Sequence, residues 1–208
     1  MHTFALTSLL NNIVNMSQNE SRNTENLILE AAESEFLEKG FELARTMSIA
    51  QRAGVTHAML HYYFRTKEQL FQKVVEQKFQ LIADMVLVPF SCLDLPVKER
   101  LTQGIGAHFD LLIKNPQLPR FLVSESDRLA PILKDVILPK AIPVMMSLQN
   151  EIDMDVRMLL LDILSQNLFA FIFHPVLEKA GFADQGTDAF MEQIKQENIT
   201  IILKRLGL

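Results

Sequence analysis

Residues 28–71 read ILEAAESEFLEKGFELARTMSIAQRAGVTHAMLHYYFRTKEQLF, and the pattern within them alternates helix and turn. Leu27, Ile28, Ala31, Ala32, Glu35, Phe36 and Leu37 recur at three- and four-residue spacing, the period of one helix face. The stripe stops at Lys39-Gly40, a basic last turn followed by the residue best suited to a left-handed cap. Two short helical patterns follow, about 46–53 and 57–62, separated by Gly54-Val55-Thr56. Thr66-Lys67-Glu68-Gln69 matches a capping box, which predicts a long helix through Leu70, Phe71, Val74, Val75, Phe79, Ile82 and Met85 to about Val88, before Pro89.

Two short helices joined by so tight a turn, behind an amphipathic first helix, read as a helix-turn-helix unit. Gly54 opens the backbone, Val55 plugs the small core, and Thr56 caps the helix that follows. That helix would lie in the major groove of a duplex with His57, Ala58, Met59, His61 and Tyr62 exposed to phosphates or base edges. The charge distribution agrees. Residues 45–73 hold Arg45, Arg52, Arg65, Lys67 and Lys73 against Glu68 alone, a local net charge of +4, whereas the rest of the chain sums to −9. An acidic protein with one basic island suits local contact with a polyanion and not a general coating of nucleic acid or membrane.

The same stretch resembles the DNA-binding domain of the TetR family of bacterial transcriptional regulators. The resemblance is carried by the first helix with its AA and F, EKGF at 38–41, IAQRAGV at 49–55, LHYYF at 60–64 and TKEQLF at 66–71. It implies that Thr46, after Arg45 near the start of the second helix, meets phosphate, that Thr56 caps the recognition helix, and that His57, Ala58 and Met59 read bases. Leu60 and Phe64 would be core. His61 stands where the family usually has a phosphate-binding tyrosine, Tyr63 where Tyr or His is frequent, and Lys67 where a lysine opens the fourth helix. Three departures stand out: an imidazole at position 61 makes that contact pH-sensitive, the order Ala44 to Ser48 differs from the commoner hydroxyl, apolar, Arg, Asp order, and Ala58-Met59 is apolar enough to favour thymine methyl groups.

Outside this stretch, strand signals are nearly absent, and the fold class read from the 208 residues is all-α: a three-helix DNA-binding domain followed by a larger bundle, about nine helices in all. Residues 1–20 are expected to be a flexible arm, or to precede a true start at Met16; 21–66 form the first domain and 67–208 the bundle. Further helices are predicted at about 97–114, 116–126, 131–149, 154–178 and 184–206, punctuated by Pro116, Pro119, Pro131, Pro139, Pro143 and Pro175. The first fifteen residues carry no Lys or Arg, unlike a secretory signal, and the single Cys92 rules out an internal disulfide, so a cytoplasmic protein is expected. Residues 158–177 approach the length of a membrane span but contain Asp162, Gln166, Asn167, His174 and Pro175, which favours a helix packed against other helices and no membrane partner.

By resemblance, the bundle binds a small-molecule effector and forms a homodimer. Met85, Phe109, Leu112, Phe121, Met145, Met146, Phe169, Phe173 and His174 are candidates to line an effector pocket, since methionines and aromatics suit apolar ligands. Phe190, Met191, Ile194, Ile201, Ile202 and Leu206 fall at helical spacing on the last helix, and this face is the candidate dimer interface. Two-fold pairing would present two recognition helices about 34–36 Å apart to a palindromic operator. No metal, cofactor or catalytic residue is expected: His57 and His61 lack a third ligand nearby, Gly104-Ile105-Gly106 lacks a preceding strand and third glycine, and no nucleophile motif occurs. The two readings that remain are an effector-responsive DNA-binding regulator, a repressor by preference, and a helical small-molecule-binding or protein-interaction module that has lost sequence-specific DNA binding.

Overall fold

A computed structural model describes the backbone of residues 2–181 and 187–208 and the side chains of residues 21–181 and 189–208. Among the described residues it is all-helical, with α1 (His2–Leu43), α2 (Thr46–Arg52), α3 (His57–Tyr63), α4 (Lys67–Phe90), α5 (Val97–Lys114), α6 (Leu118–Ser124), α7 (Ser126–Val136), α8 (Leu138–Gln149), α9 (Val156–Lys179) and α10 (Thr187–Arg205). The chain divides into two compact units, Met1–Val75 and Glu76–Leu208, so α4 begins in the first and ends in the second.

In the first unit, α1 is interrupted at Gly40, whose φ of 72° and ψ of 170° end the helical run where the sequence stripe stops. Ile28, Ala32, Phe36, Ile49, Leu60 and Leu70 are almost wholly buried. Phe71 meets Phe36 and Phe41 edge-on, with 5.1 Å between ring centres in both pairs, and so fastens the start of α4 to α1. Over residues 1–20, expected to be a flexible arm or to precede a start at Met16, helical backbone begins at His2. Leu6, Leu9, Leu10, Ile13 and Val14 keep helical spacing there, and neither glycine nor proline intervenes before Gly40.

A carboxylate lies at the centre of this unit. Glu35 has no exposed surface, accepts hydrogen bonds from Lys39 Nζ at 2.7 Å, Ser48 Oγ at 2.9 Å and the Arg45 backbone N–H at 3.4 Å, and pairs with Arg52 Nε at 3.3 Å. Burial pushes this carboxyl up, but the bonds from Lys39, Ser48 and Arg45 together hold it below its ordinary value of 4.5.

The second unit is built round α5, α9 and α10. Leu101 and Ile105 of α5, Leu159 and Ile163 of α9, and Ile199, Ile202 and Leu203 of α10 form one core with Phe90 and Leu148; Phe109, Leu112, Phe171 and Met191 form a second. Gly104 is required here, because a Cβ at that position would come within 2.3 Å of the Phe90 ring. The buried guanidinium of Arg100 donates to the Phe90 carbonyl from Nε at 3.0 Å and Nη2 at 2.8 Å, and to Glu151 at 2.6 Å from Nη1, tying the end of α4 to the end of α8. The single helix expected over 131–149 is two, α7 and α8, broken at Ile137. Pro139, at the start of α8, supplies the reason: its ring disfavours continuation of the preceding turn, whereas Pro131 is accommodated within α7.

Replacing Glu35 with Gln should destabilise the first unit by about 3 kcal/mol at neutral pH, because cations gathered round a buried carboxylate lose their partner. A carboxyl held below its ordinary value contributes stability above that value and loses the contribution as pH falls through the depressed one. The gap between wild type and Glu35→Gln in urea titrations should therefore be full above pH 4.5 and narrow on acidification below it. A gap independent of pH would contradict this account of the carboxylate.

Candidate nucleic-acid interface and apolar cavity

The turn between α2 and α3 is fixed by local bonds. Ala53 N–H donates to the Ile49 carbonyl at 2.9 Å, Val55 N–H to the Ala50 carbonyl at 3.0 Å, and Gly54 takes a φ of 67° that a side chain would resist. Thr56 caps α3, its Oγ1 accepting from the Met59 N–H at 3.1 Å. Leu60 faces the core at 1% exposure, which turns Ala58, Met59, His61 and Tyr62 outward.

Several side chains read as independent DNA contacts are tied to one another. Thr46 Oγ1 and His57 Nε2 share a hydrogen bond of 3.0 Å, so the half-buried His57 links the start of α2 to α3. His61 meets His57 edge-on at 4.3 Å between ring centres, and its Nδ1 lies 3.3 Å from the Arg65 carbonyl. A carbonyl can only accept, so Nδ1 carries the proton, and Nε2 could donate to a phosphate only in the doubly protonated imidazolium. Tyr63 is half-buried with its hydroxyl 3.1 Å from Ser21 Oγ, whereas its neighbour Tyr62 is 81% exposed.

The basic island is smaller than its sequence suggests. Arg52 holds Glu38 with both terminal nitrogens, at 2.9 and 2.6 Å, as well as Glu35. Lys67, expected as a phosphate contact, is half-buried and turns its ammonium to the chain's own backbone. Its Nζ donates to the carbonyls of Phe41 at 2.8 Å, Ala44 at 3.2 Å and Glu42 at 3.3 Å, and stands 4.4 Å from the centre of the Phe41 ring. The physical reason is the break at Gly40, which leaves carbonyls at the end of α1 without helical partners. Arg45 and Arg65 are exposed and make no ion pair among the described residues, as does Lys73 on α4. The exposed side chains on and next to α2 and α3 thus include Arg45, Ala58, Met59, His61, Tyr62 and Arg65.

Within the second unit lies an apolar cavity of about 280 Å³, walled by α4, α5, α6, α7, α8 and α9. Of the expected pocket residues, Leu112 and Met145 line it. Met85 is 53% exposed on the other side of α4; Phe109 is fully buried against Phe171, 5.0 Å between ring centres; and Phe121 is buried outside the wall. Met146 is exposed. Phe169 and Phe173 stack on each other at 4.3 Å on the exposed side of α9, and the ring of His174 lies 6.2 Å from that of Phe190. The wall contains a residue the sequence reading passed over, His108, whose signal was an imidazole set into the apolar stripe Leu101, Ile105, Leu112 of α5.

The expected dimer face is also redistributed. Ile202 is 1% exposed and belongs to the core, which removes it from any interface, and Ile194 packs against the second core cluster. Phe190 is half-buried and Ile201 is 50% exposed. The larger uncovered surface is on α9, where Met158, Leu161, Phe169, Phe173 and Val176 form one exposed stripe. By length and composition α9 could cross a membrane, but its opposite side carries the buried Asn167 and faces the core. No cluster of three metal-ligating side chains occurs among the described residues.

Residues 28–74 match the family described as bacterial regulatory proteins, tetR family. Similar solved structures include a Streptomyces coelicolor protein assigned as a transcriptional regulator, 22% identical, with 88% of this chain and 97% of that chain covered at a TM-score of 0.68. A Mesorhizobium loti protein assigned to the TetR-family regulators is 18% identical over 88% of this chain and 96% of its own, TM-score 0.65. The Bacillus subtilis regulator FadR, solved in complex with stearoyl-CoA, is 19% identical over 85% and 96%, TM-score 0.64. Curated proteins give no match. At these identities the structures establish a shared fold.

Lys67→Ala should lower the stability of the first unit by about 2 kcal/mol, the scale of charged hydrogen bonds to carbonyls, whereas Arg65→Ala should change it by less than about 0.5 kcal/mol. Urea denaturation of both variants checks this; equal small effects would return Lys67 to the surface.

Proposed function

Because the chain carries a TetR-family DNA-binding domain at residues 28–74, we propose that it is a homodimeric transcriptional repressor that reads a palindromic operator and is released by a small apolar effector. The observation that carries this reading is the outward face of the capped helix α3, where Ala58, Met59 and Tyr62 are exposed, with the exposed cations Arg45 just before α2 and Arg65 just after α3. A short apolar pair flanked by cations suits thymine methyl contacts in a groove bordered by phosphates.

The apolar cavity supports the effector half of the reading, and the stearoyl-CoA bound by FadR supports an apolar ligand in a protein of this fold. The exposed stripe of α9 and the exposed Ile201 of α10 support pairing with a second copy. Contiguous apolar surface of this kind is costly to leave in water, and a two-fold axis lets the same stripe cover itself. Such a dimer supplies two reading heads, and a ligand acts on it by favouring one of two arrangements.

The purified protein should shift a duplex carrying its own promoter region, with affinity falling steeply as salt rises, and Arg65→Ala should reduce the slope of log K against log salt by about one. Equal weak affinity for promoter and random duplex would favour a helical module that no longer reads sequence. Phe169→Glu should convert the dimer to monomer in sedimentation and weaken promoter binding while leaving the helical circular dichroism unchanged. A dimer that survives this substitution would place the interface elsewhere.

A further inference from the structure

Among the described residues, the cavity wall is apolar except at His108. One side of that imidazole is held by a buried chain of amides. Asn167, with no exposed surface, directs its Nδ2 to the Ile105 carbonyl at 3.3 Å and to His108 Nδ1 at 3.0 Å, and its Oδ1 accepts from Asn198 Nδ2 at 3.1 Å.

This arrangement settles the tautomer. The Ile105 carbonyl can only accept, so the Asn167 amide cannot be turned round without setting two oxygens against each other. Asn167 therefore donates to His108 Nδ1, and the one proton of the neutral ring sits on Nε2. Nε2 makes no hydrogen bond among the described residues, and it is not one of the buried unpartnered atoms. The cavity thus offers one N–H donor in an otherwise apolar wall.

Charge is disfavoured there. Burial pulls the His108 ring down to about 4, so it is neutral at physiological pH, and no other titratable side chain lines the cavity. A carboxylate would enter without a cation to meet it, and an ammonium would meet a donor where it needs an acceptor.

We propose that the cavity selects an uncharged lipophile bearing a carbonyl or similar oxygen, and that His108 Nε2–H recognises that oxygen, oriented from behind by Asn167 and Asn198. This rests on the ligand-responsive reading above and specifies its chemistry. The size fits a compact ligand, since 280 Å³ lies at the small end of ligand sites.

The test uses three ten-carbon probes, 2-decanone, decanoate and decylammonium, titrated calorimetrically into the full-length protein at pH 7.5. The ketone should bind at least tenfold more tightly than either ion, and His108→Leu should weaken ketone binding by about tenfold and erase the preference. Nitrogen-15 NMR of the wild-type imidazole should report the Nε2–H tautomer, a readout that needs no variant. Decanoate bound as tightly as the ketone, an Nδ1–H tautomer, unaltered ketone affinity in His108→Leu, or no binding of any probe would each overturn the proposal. Release of the promoter duplex is measured separately: a ketone that binds through His108 without releasing DNA supports this recognition and refutes the effector role, whereas release by decanoate at equal potency does the reverse.

Discussion

The buried carboxylate of Glu35 is the constraint from which the arrangement of the first unit follows. A charge without exposed surface must be fully partnered, and its partners come from three places: Lys39 one turn along α1, the Arg45 backbone just before α2, and Ser48 and Arg52 on α2. α2 is thereby fixed in position and rotation against α1. α3 is then placed by the Gly54 turn, the Thr56 cap and the Thr46–His57 hydrogen bond. The direction in which Ala58 and Met59 project is thus traceable, through two short links, to a residue with no exposed surface.

The same carboxylate explains what local charge counting gets wrong. The helix-turn-helix was legible because its determinants are local: Gly54, Thr56 and Leu60 act within a few residues of where they stand. The electrostatics of the site were not, because Arg52 is answered by Glu35 and Glu38, outside the window in which the positive charge was counted, and Lys67 by carbonyls some 25 residues earlier, which no count of side-chain charges includes. A net local charge of +4 describes composition; of the five cations counted, those exposed and without an ion pair among the described residues are Arg45, Arg65 and Lys73.

In the second unit the division was different again. Helical period told only in part which residues point inward: Phe109, Leu112 and Phe121, read as pocket candidates, are buried, whereas Met85, Met146, Phe169 and Phe173, read in the same way, are exposed. It could not tell whether inward meant a packed core or a cavity wall, since that depends on which helices face one another and how closely. Phe109 found Phe171 and became core; Leu112, three residues on, met open volume. Only a residue whose chemistry is out of place on such a stripe carries more information, and His108 is that residue. Its environment differs from that of its sequence neighbours because Asn167 and Asn198, on two other helices, supply the one polar contact available.

The composition of α9 resolves on the same grounds. A helix apolar round its whole circumference is expected in lipid or in the middle of a bundle, and α9 is neither wholly buried nor without polar groups. One side, from Val156 through Leu159 and Ile163, lines the cavity; the opposite side, from Met158 through Leu161 and Phe169 to Val176, is exposed. Asn167 lies on the inward side, where its amide is saturated by Ile105, His108 and Asn198 and so carries no exposed polarity. An Asn in that position would be costly in lipid without those neighbours, and the inward apolar face would have nothing to enclose. The two apolar faces therefore have two different surroundings, a cavity on one side and solvent on the other, and it is the conjunction of both on one helix that gives the sequence its resemblance to a membrane span.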